Sequence, residues 1–368
     1  MIYIIFIAVF SILLLLLDLV YIKNWKKGLE VGIVFEDDCL TEGDEGRIIE
    51  TIVNDKNIPL PGAMISFEMD KSITYEERKN ILVSDKIYRH DCTNIDSKSI
   101  TERSFKVRYG HRGYYSIDGA EVRMYGITGN SKDIARFSFF SDVYVYPSRS
   151  VHVDAIALLT KITGEILKQK TFIEDPFEFK GIRDYTGTEP MNKINWAASA
   201  KEGHLMVNNY YDTTGKSVKM ILDMTINNLW KENSKLEEII RIARKYMENF
   251  VKNRIPVNII TNALASDGSR IKFEVGLGNS FINDSLKKMS RIDLGMKPEN
   301  MADMLGNMKA GRNELTILLS PNSSSILADA FNNYLGNEQG EWILPIMGEN
   351  KPGVKNGKYN LTYVEVIR

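Results

Sequence analysis

The chain has 368 residues, of which 43% are hydrophobic and 26% charged, a composition typical of globular domains rather than disordered or fibrous chains. Its 47 Lys and Arg residues against 48 Asp and Glu give a net charge of −1, so no overall basic field favours nucleic acid as a partner. Two cysteines exclude a disulfide framework and a four-cysteine zinc site, and the four histidines are scattered singly.

The chain begins with an apolar run, residues 1–22, in which Ser11 and Asp18 are the strongly polar side chains. At about 1.5 Å per residue, a helix of this length crosses a hydrocarbon core of roughly 30 Å. A cleaved signal peptide is the alternative, but no basic residue precedes the run and no small-x-small cleavage pattern follows it. We therefore expect a retained, single-pass transmembrane anchor.

The residues after this run indicate an orientation. Lys23, Lys26 and Lys27 follow at once, and Tyr21 and Trp25 lie where an aromatic belt is expected at the membrane surface. By the positive-inside rule the long remainder of the chain faces the cytoplasm. We then expect both cysteines to be free thiols.

Residues 28–150 show short alternating segments separated by turn signals, the last of which is Pro147-Ser148. Six or seven such strands predict an all-β sandwich of immunoglobulin-like size. The predicted strands are residues 28–35, 46–54, 62–69, 104–109, 113–127 and 135–147.

The period changes after this domain. An apolar stripe over 152–170 predicts a helix. Residues 171–216 show no sustained period and are rich in charged, aromatic, Gly and Pro residues, which predicts a long irregular connection. We treat 151–216 as a helix followed by a functional loop.

From residue 217 to 368 strands and helices alternate, which predicts an α/β domain with a mostly parallel sheet covered on both faces. Ligand sites in such sheets lie at the carboxyl ends of the strands. The predicted strands are 217–224, 256–261, 270–276, 314–320, 341–347 and 359–367, and the predicted helices are 235–253, 281–291, 298–309 and 324–335.

The irregular segment 177–211 combines cations, carboxylates and aromatic side chains. Trp, Tyr and Arg anchor many interfaces, so the segment can be a partner-binding surface. It can equally be a structural loop whose aromatic residues fill a core. The residues by themselves leave both interpretations open.

The order of residues in this segment resembles the signature of the bacterial domain-of-unknown-function fifty-eight family. The resemblance rests on Phe179-x-Gly181-Ile182-Arg183-Asp184-Tyr185, followed by Thr188-Glu189-Pro190, Ile194-Asn195-Trp196, Ala198-Ser199-Ala200 and Leu205-Met206-Val207. The family usually has Gly-Asp at Thr188-Glu189, Asp at Asn195 and Arg at Lys201. These departures put a charge-dependent role of those positions in doubt.

Flanking features are also similar to the family, which combines membrane helices, a β-rich domain with an Arg-Gly-x-Tyr element, here residues 112–115, and a von Willebrand factor A-like α/β domain. Most members carry two membrane helices and a different turn at Tyr125-Gly126-Ile127. The resemblance implies a non-enzymatic accessory protein that acts with a MoxR-type AAA+ ATPase on an unknown client. The signature positions that it implies as a docking or structural loop are Phe179, Gly181, Arg183, Asp184, Tyr185, Asn195, Trp196, Ser199 and Lys201.

A von Willebrand A metal site uses Asp-x-Ser-x-Ser after the first strand, because Mg²⁺ and Ca²⁺ favour carboxylate and hydroxyl oxygens. This chain has Asp223, Thr225 and Asn227 there, and Pro321-Asn322-Ser323 where a second carboxylate is wanted. We expect a degenerate site that holds no cation, with Asp223 capping the next turn. No other cofactor is indicated.

Two weaker patterns remain. Cys92, His111 and Asp118 can be ordered as nucleophile, base and orienting group. The run 276–279, Gly-Leu-Gly-Asn, lacks the third glycine of a dinucleotide fingerprint and the Gly-Lys-Ser/Thr of a P-loop, which favours a turn.

Three functions follow from these patterns. The leading hypothesis is a membrane-anchored scaffold that acts with the AAA+ ATPase in assembling or maturing other proteins. The alternatives are a metal-dependent adhesion module of von Willebrand A type and, as the weakest, a membrane-anchored cysteine hydrolase.

Overall fold

The computed structural model describes residues 2–76, 80–84, 86–126, 129, 132–168, 173–213, 216–225, 229–311, 313–348 and 351–366. It divides into two compact units, residues 1–148 and 149–368. The first unit is built of strands after an N-terminal helix, and the second combines helices with a parallel sheet.

Helix α1 (Ile2–Asn24) is the one helix of the described residues that is long and apolar enough to cross a membrane. Its large apolar side chains are exposed along most of its length, as expected of a helix whose solvent is lipid. The apolar run of the sequence therefore forms the helix that its composition predicts.

Trp25 corrects the predicted aromatic belt. The residue is 1% exposed and lies in the core of the first unit. Its indole N–H donates to Asp133 Oδ2 at 2.9 Å, and Lys26 Nζ lies 3.8 Å from the same carboxylate oxygen. A membrane-facing belt residue has a different environment, so we assign Trp25 to the folded domain.

Ten strands follow α1 and form two sheets that share one apolar core, which makes the unit a β-sandwich. The four-stranded sheet has the order β1-β3-β8-β5, and the six-stranded sheet has the order β2-β10-β9-β4-β7-β6. Neighbours are antiparallel except β2 and β10, which are parallel. The strands are β1 (Leu29–Phe35), β2 (Cys39–Thr41), β3 (Glu45–Asn54), β4 (Leu60–Asp70), β5 (Ile73–Tyr75), β6 (Ile81–Val83), β7 (Lys86–Ile95), β8 (Ser99–Tyr109), β9 (Gly113–Tyr125) and β10 (Lys132–Tyr146).

The sequence-based expectation of six or seven strands misses β7, which lies inside the six-stranded sheet. The inward-facing side chains of β7 include the charged residues Arg89 and Asp91 beside Ile87, all of them buried. This places charge where the alternating pattern of a strand normally has apolar residues. The three other missed strands are only three residues long.

The segment predicted to be an irregular connection is instead an ordered hairpin. Strands β11 (Ile173–Asp184) and β12 (Met206–Thr213) pair antiparallel in a two-stranded sheet of their own. A single 3₁₀ turn (Met191–Lys193) and helix α3 (Trp196–Glu202) lie between them. Helix α2 (Val153–Lys168) precedes the hairpin. It packs on the helix Leu229–Lys252 and the strand Tyr359–Glu365 of the α/β layer.

The rest of the second unit is a five-stranded sheet whose neighbouring strands are all parallel, as the alternating pattern predicts. Its order is β14-β13-β15-β16-β17, which is 2-1-3-4-5 in chain order within the sheet, a doubly wound arrangement. The elements are β13 (Ser217–Leu222), α4 (Leu229–Lys252), β14 (Val257–Thr261), α5 (Gly278–Ser290), α6 (Met301–Gly306), β15 (Glu314–Leu319), α7 (Ser325–Leu335), β16 (Gly340–Ile346) and β17 (Tyr359–Glu365).

The strand predicted over 270–276 is absent, and the pairing explains why. Two isolated antiparallel bridges, Val257 with Gly276 and Leu264 with Arg270, bracket this segment. Six residues lie between the bridges on the β14 side and five on the other, so the bridges differ in register by one residue. A continuous ladder cannot satisfy both, and a cavity of about 270 Å³ opens between residues 258–263 and 270–273.

Candidate functional site

The carboxyl ends of β13 and β15 meet at the point where the strand order reverses, which is where doubly wound sheets bind ligands. Asp223 follows β13 and Ser320 follows β15. The backbone N–H of Asp223 donates to Leu319 O at 2.9 Å, which fixes the two strand ends beside each other. Asp223, one of the predicted metal ligands, therefore lies at the topological switch point.

Asp223 is completely buried, and its carboxylate is surrounded by protein donors. Oδ1 accepts the backbone N–H of Thr225 at 2.9 Å and Asn262 Nδ2 at 3.0 Å. Oδ2 accepts the Ser320 hydroxyl at 2.7 Å. Burial raises the pKa of Asp223, and the bonds from Thr225, Ser320 and Asn262 oppose this shift.

Asn262, directly after β14, joins the network to two more segments. Its Nδ2 lies 3.0 Å from Thr225 Oγ1 and 2.7 Å from Glu299 O, and its Oδ1 accepts the N–H of Met224 at 2.8 Å. Sequence reasoning missed Asn262 and Ser320. The predicted parallel sheet could have indicated them, because polar residues that directly follow neighbouring parallel strands lie close together at one edge of the sheet.

These residues do not fit a divalent cation. Asp223 is the single carboxylate of the network, because the carboxylate of Glu299 is bonded to Arg270. The oxygens of Asp223 and Thr225 that a cation would need already accept N–H and O–H donors. Within the described part of the chain no group of three His, Cys, Asp or Glu residues is arranged to hold a metal. The third predicted ligand, Asn227, lies outside the described residues.

The second candidate site is the β11–β12 hairpin. Some of its signature residues stabilise the backbone through hydrogen bonds and ion pairs, and the others expose their side chains. Asn195 caps α3 by accepting the N–H of Ala198 at 2.9 Å, and it donates to Asn208 Oδ1 at 2.8 Å. The buried Ser199 hydroxyl donates to Asn195 O and accepts the N–H of Met206, both at 2.8 Å. Both residues therefore fix α3 against β12.

Charged signature residues fix the loop after β11. Arg183 Nη1 lies 2.5 Å from Glu189 Oε1, and Thr186 donates to Glu189 through both its N–H and its hydroxyl. The Thr186 hydroxyl, together with the Arg183 guanidinium, holds the pKa of Glu189 at about 2. Glu189 therefore carries a negative charge that pairs with Arg183 and fixes this loop.

Three other signature residues make hydrogen bonds or strand pairs within the hairpin. Asp184 Oδ1 lies 2.8 Å from His204 Nε2, and this bond raises the pKa of the imidazole. The N–H of Tyr185 donates to Leu205 O at 2.9 Å, and Gly181 lies opposite Asn209 in the strand pairing.

The remaining signature residues, Phe179, Trp196 and Lys201, are exposed. Trp196 is 61% and Phe179 56% exposed, and the non-signature residue Met191 is 64% exposed on the same module. Phe179 contacts Tyr210 edge-on, with ring centroids 6.0 Å apart. The hairpin thus presents large apolar side chains from a backbone that its polar residues hold in place.

The proposed Cys92, His111 and Asp118 arrangement is not brought together. Cys92 is exposed on β7, in a cross-strand row with Met64 of β4 and Arg123 of β9. His111 precedes β9, and the first residue of that strand, Gly113, lies ten residues before Arg123, which corresponds to roughly 33 Å of extended strand. His111 Nδ1 instead lies 3.9 Å from Glu42.

Comparison with solved structures gives matches with low TM-scores that cover about a third of the chain. No family model matches the sequence, and no curated protein matches it. A CARDB domain from Pyrococcus furiosus is 17% identical over 32% of this chain and 86% of its own, with a TM-score of 0.22. A non-cellulosomal cohesin from Archaeoglobus fulgidus is 15% identical over 32% and 91%, with a TM-score of 0.22. The full-length major pilin SpaD from Corynebacterium diphtheriae is 11% identical over 32% and 34%, with a TM-score of 0.24. Values this low assign neither a family nor a function.

Proposed function

We propose that the protein is a membrane-anchored, non-enzymatic scaffold that binds a protein partner through the β11–β12 hairpin. The observation that carries this proposal is the exposure of Trp196, Phe179 and Met191 on a module whose backbone is fixed by Asn195 and Ser199. Exposed Trp side chains are frequent anchors of protein interfaces. A pre-ordered hairpin also loses little conformational entropy on binding.

The partner that the family resemblance implies is a MoxR-type AAA+ ATPase, together with a client protein. The Lys residues after α1 support a cytoplasmic orientation, because the positive-inside rule places them on that side. A cytoplasmic ATPase is then within reach of the hairpin. We place the soluble units on this side of the cell membrane and infer a von Willebrand A-like α/β domain behind the hairpin.

The test is affinity purification of the tagged full chain from its native membrane after mild crosslinking. We expect the wild-type chain to recover an AAA+ ATPase and the double variant Trp196→Ala/Phe179→Ala to recover much less of it. The double variant removes two exposed side chains and leaves the residues that stabilise the hairpin backbone unchanged. Ile326→Ala is the matched control, because Ile326 is 70% exposed on α7 in the same unit. It should retain full recovery.

Two further measurements separate this proposal from the alternatives. Cys39 and Cys92 are exposed, so a membrane-impermeant maleimide should label them only after the membrane is opened. Calorimetry of the purified full chain should show no binding of Mg²⁺ or Ca²⁺, whereas a metal-dependent adhesion module should bind one of them. Equal recovery by wild type and the double variant would remove the hairpin as the docking surface.

A further inference from the structure

One nitrogen atom in the second unit lies against three oxygens of different chemical kinds. Asn262 Nδ2 is 3.0 Å from the carboxylate Oδ1 of Asp223, 3.0 Å from the hydroxyl of Thr225 and 2.7 Å from the carbonyl of Glu299. These oxygens belong to the loop after β13 and to the segment before α6. Convergence of carboxylate, hydroxyl and carbonyl oxygens on one point is the arrangement that hard cations recruit.

The orientation of the Asn262 amide is fixed by its other end. Asn262 Oδ1 accepts the backbone N–H of Met224 at 2.8 Å, and a flipped amide would place its NH₂ against that N–H. Asn262 is also 3% exposed, and in this orientation both its Oδ1 and its Nδ2 have protein partners. The nitrogen therefore faces the three oxygens.

The charge around Asn262 Nδ2 favours a neutral donor at this position over a divalent cation. Asp223 supplies the carboxylate that Asn262 bonds, whereas the carboxylate of Glu299 is bonded by Arg270. The second oxygen of Asp223 accepts the hydroxyl of Ser320. A divalent cation placed here would leave an uncompensated positive charge in a buried site, which is costly.

We infer that the Asn262 amide is a built-in substitute for a divalent cation, so that the carboxyl edge of this sheet is organised without metal. The amide ties the loop after β13, the end of β14 and the segment before α6 with hydrogen bonds where a cation would use coordination. Two consequences follow. The wild-type chain should not respond to Mg²⁺, Ca²⁺ or Mn²⁺, and replacing the amide with a carboxylate should create a site for such a cation.

The experiment compares thermal melting and calorimetric titration of the full chain in detergent micelles, with Ca²⁺, Mg²⁺ or Mn²⁺ and then with EDTA. Asn262→Asp is the test variant. Asn258→Asp is the matched control, because Asn258 lies on β14 and lines the same cavity as Asn262 but pairs in the sheet with Lys219, four residues before Asp223. The double variant Asn262→Asp/Asp223→Asn restores the net charge that the site has in wild type.

We expect no cation-dependent rise in the melting temperature of wild type, Asn258→Asp or the double variant. Asn262→Asp should melt earlier than wild type in EDTA and recover on addition of at least one of the three cations, with saturable heat of binding. If Asn262→Asp is unfolded in EDTA, refolding on addition of cation supports the inference equally.

Either of two results would overturn the inference. The first is saturable, EDTA-reversible binding of any of the three cations to wild type at the same edge, lost in Asp223→Asn. The second is an Asn262→Asp variant that shows no cation response, whether folded or unfolded in EDTA. Neither outcome depends on the hairpin or on an ATPase, so the proposed function can fail while this inference stands.

Discussion

Each of the two units buries a carboxylate completely, and the two carboxylates have different surroundings. In the sandwich, Glu50 of β3 is bonded by the guanidinium of Arg103, and Arg89 of β7 pairs with Asp91 at 2.5 Å. In the α/β unit, Asp223 is surrounded by amide and hydroxyl donors. The first carboxylate is compensated by charge and the second by neutral hydrogen bonds.

The difference shows in what each cluster connects. Arg89 lies 3.9 Å from the ring centre of Phe105 on β8, so the ionic cluster joins the two sheets across the core. The Asp223 network instead joins loops at one edge of a single sheet. Burial raises the pKa of Glu50 despite the opposing effect of Arg103, so the arginine only partly offsets the loss of solvation.

The largest expected effect breaks the ionic cluster. Arg89→Met removes the guanidinium that pairs with Asp91 and lies near Glu50, and it removes the stacking on Phe105. We expect a loss of about 3–5 kcal/mol in the opening free energy of β7 and β8, because a buried charge is left uncompensated. Hydrogen exchange of the full chain in micelles, read by mass spectrometry, measures it.

The control for this prediction removes both charges of the pair. Arg89→Met/Asp91→Leu should recover a large part of the lost protection, because the cluster is again neutral. If the double variant is as unprotected as Arg89→Met, the packing of Arg89 matters and its charge does not.

A smaller effect is expected in the neutral network. Ser320→Ala removes the donor to Asp223 Oδ2 and should cost about 1–3 kcal/mol in the protection of β13 and β15. Thr316→Val is the matched control on β15, because the buried Thr316 Oγ1 has no hydrogen-bond partner among the described residues. Equal losses in the two variants would contradict the role of the Ser320 hydroxyl.

The smallest effect concerns an exposed carboxylate, Asp184. Its bond to His204 raises the pKa of the imidazole above the ordinary 6.5, so the folded hairpin holds the proton more tightly than the unfolded chain. The stabilisation is fully present below pH 6.5 and is lost as pH rises through the raised pKa. Amide exchange at residues 204–206, corrected for intrinsic rates, should therefore be slower at pH 6 than at pH 8.

Asp184→Asn should abolish this pH dependence while leaving exchange in β13 unchanged. A dependence of the same size in the variant would assign the effect to another titrating group.

Hydropathy was sufficient for the elements whose side chains are mostly apolar. The apolar run predicts helix α1, and the apolar segments of the α/β unit predict the five parallel strands. Hydropathy missed β7, where Arg89 and Asp91 face the core, and the β11–β12 hairpin, whose order comes from Asn195 and Ser199. It overpredicted the strand at 270–276, because alternation carries no information on register.

The candidate sites show the same limit. The position of Asp223 could be predicted because it directly follows an apolar strand. Asn262 and Ser320 could not, since their roles depend on which strands are neighbours in the sheet. The exposure of Trp196 could not be predicted either, because a tryptophan in an aromatic segment is as compatible with a core as with a surface.

The junction between α1 and the sandwich has a mechanical consequence. Four residues separate Asn24 from Leu29, and one of them, Trp25, is buried in the sandwich. No flexible linker therefore separates the sandwich from α1. When α1 spans a bilayer, the domain stays at a fixed distance from the membrane surface and rotates only together with α1. It then meets partners in the same membrane by diffusion in two dimensions. The rate of encounter then follows their surface density rather than their bulk concentration.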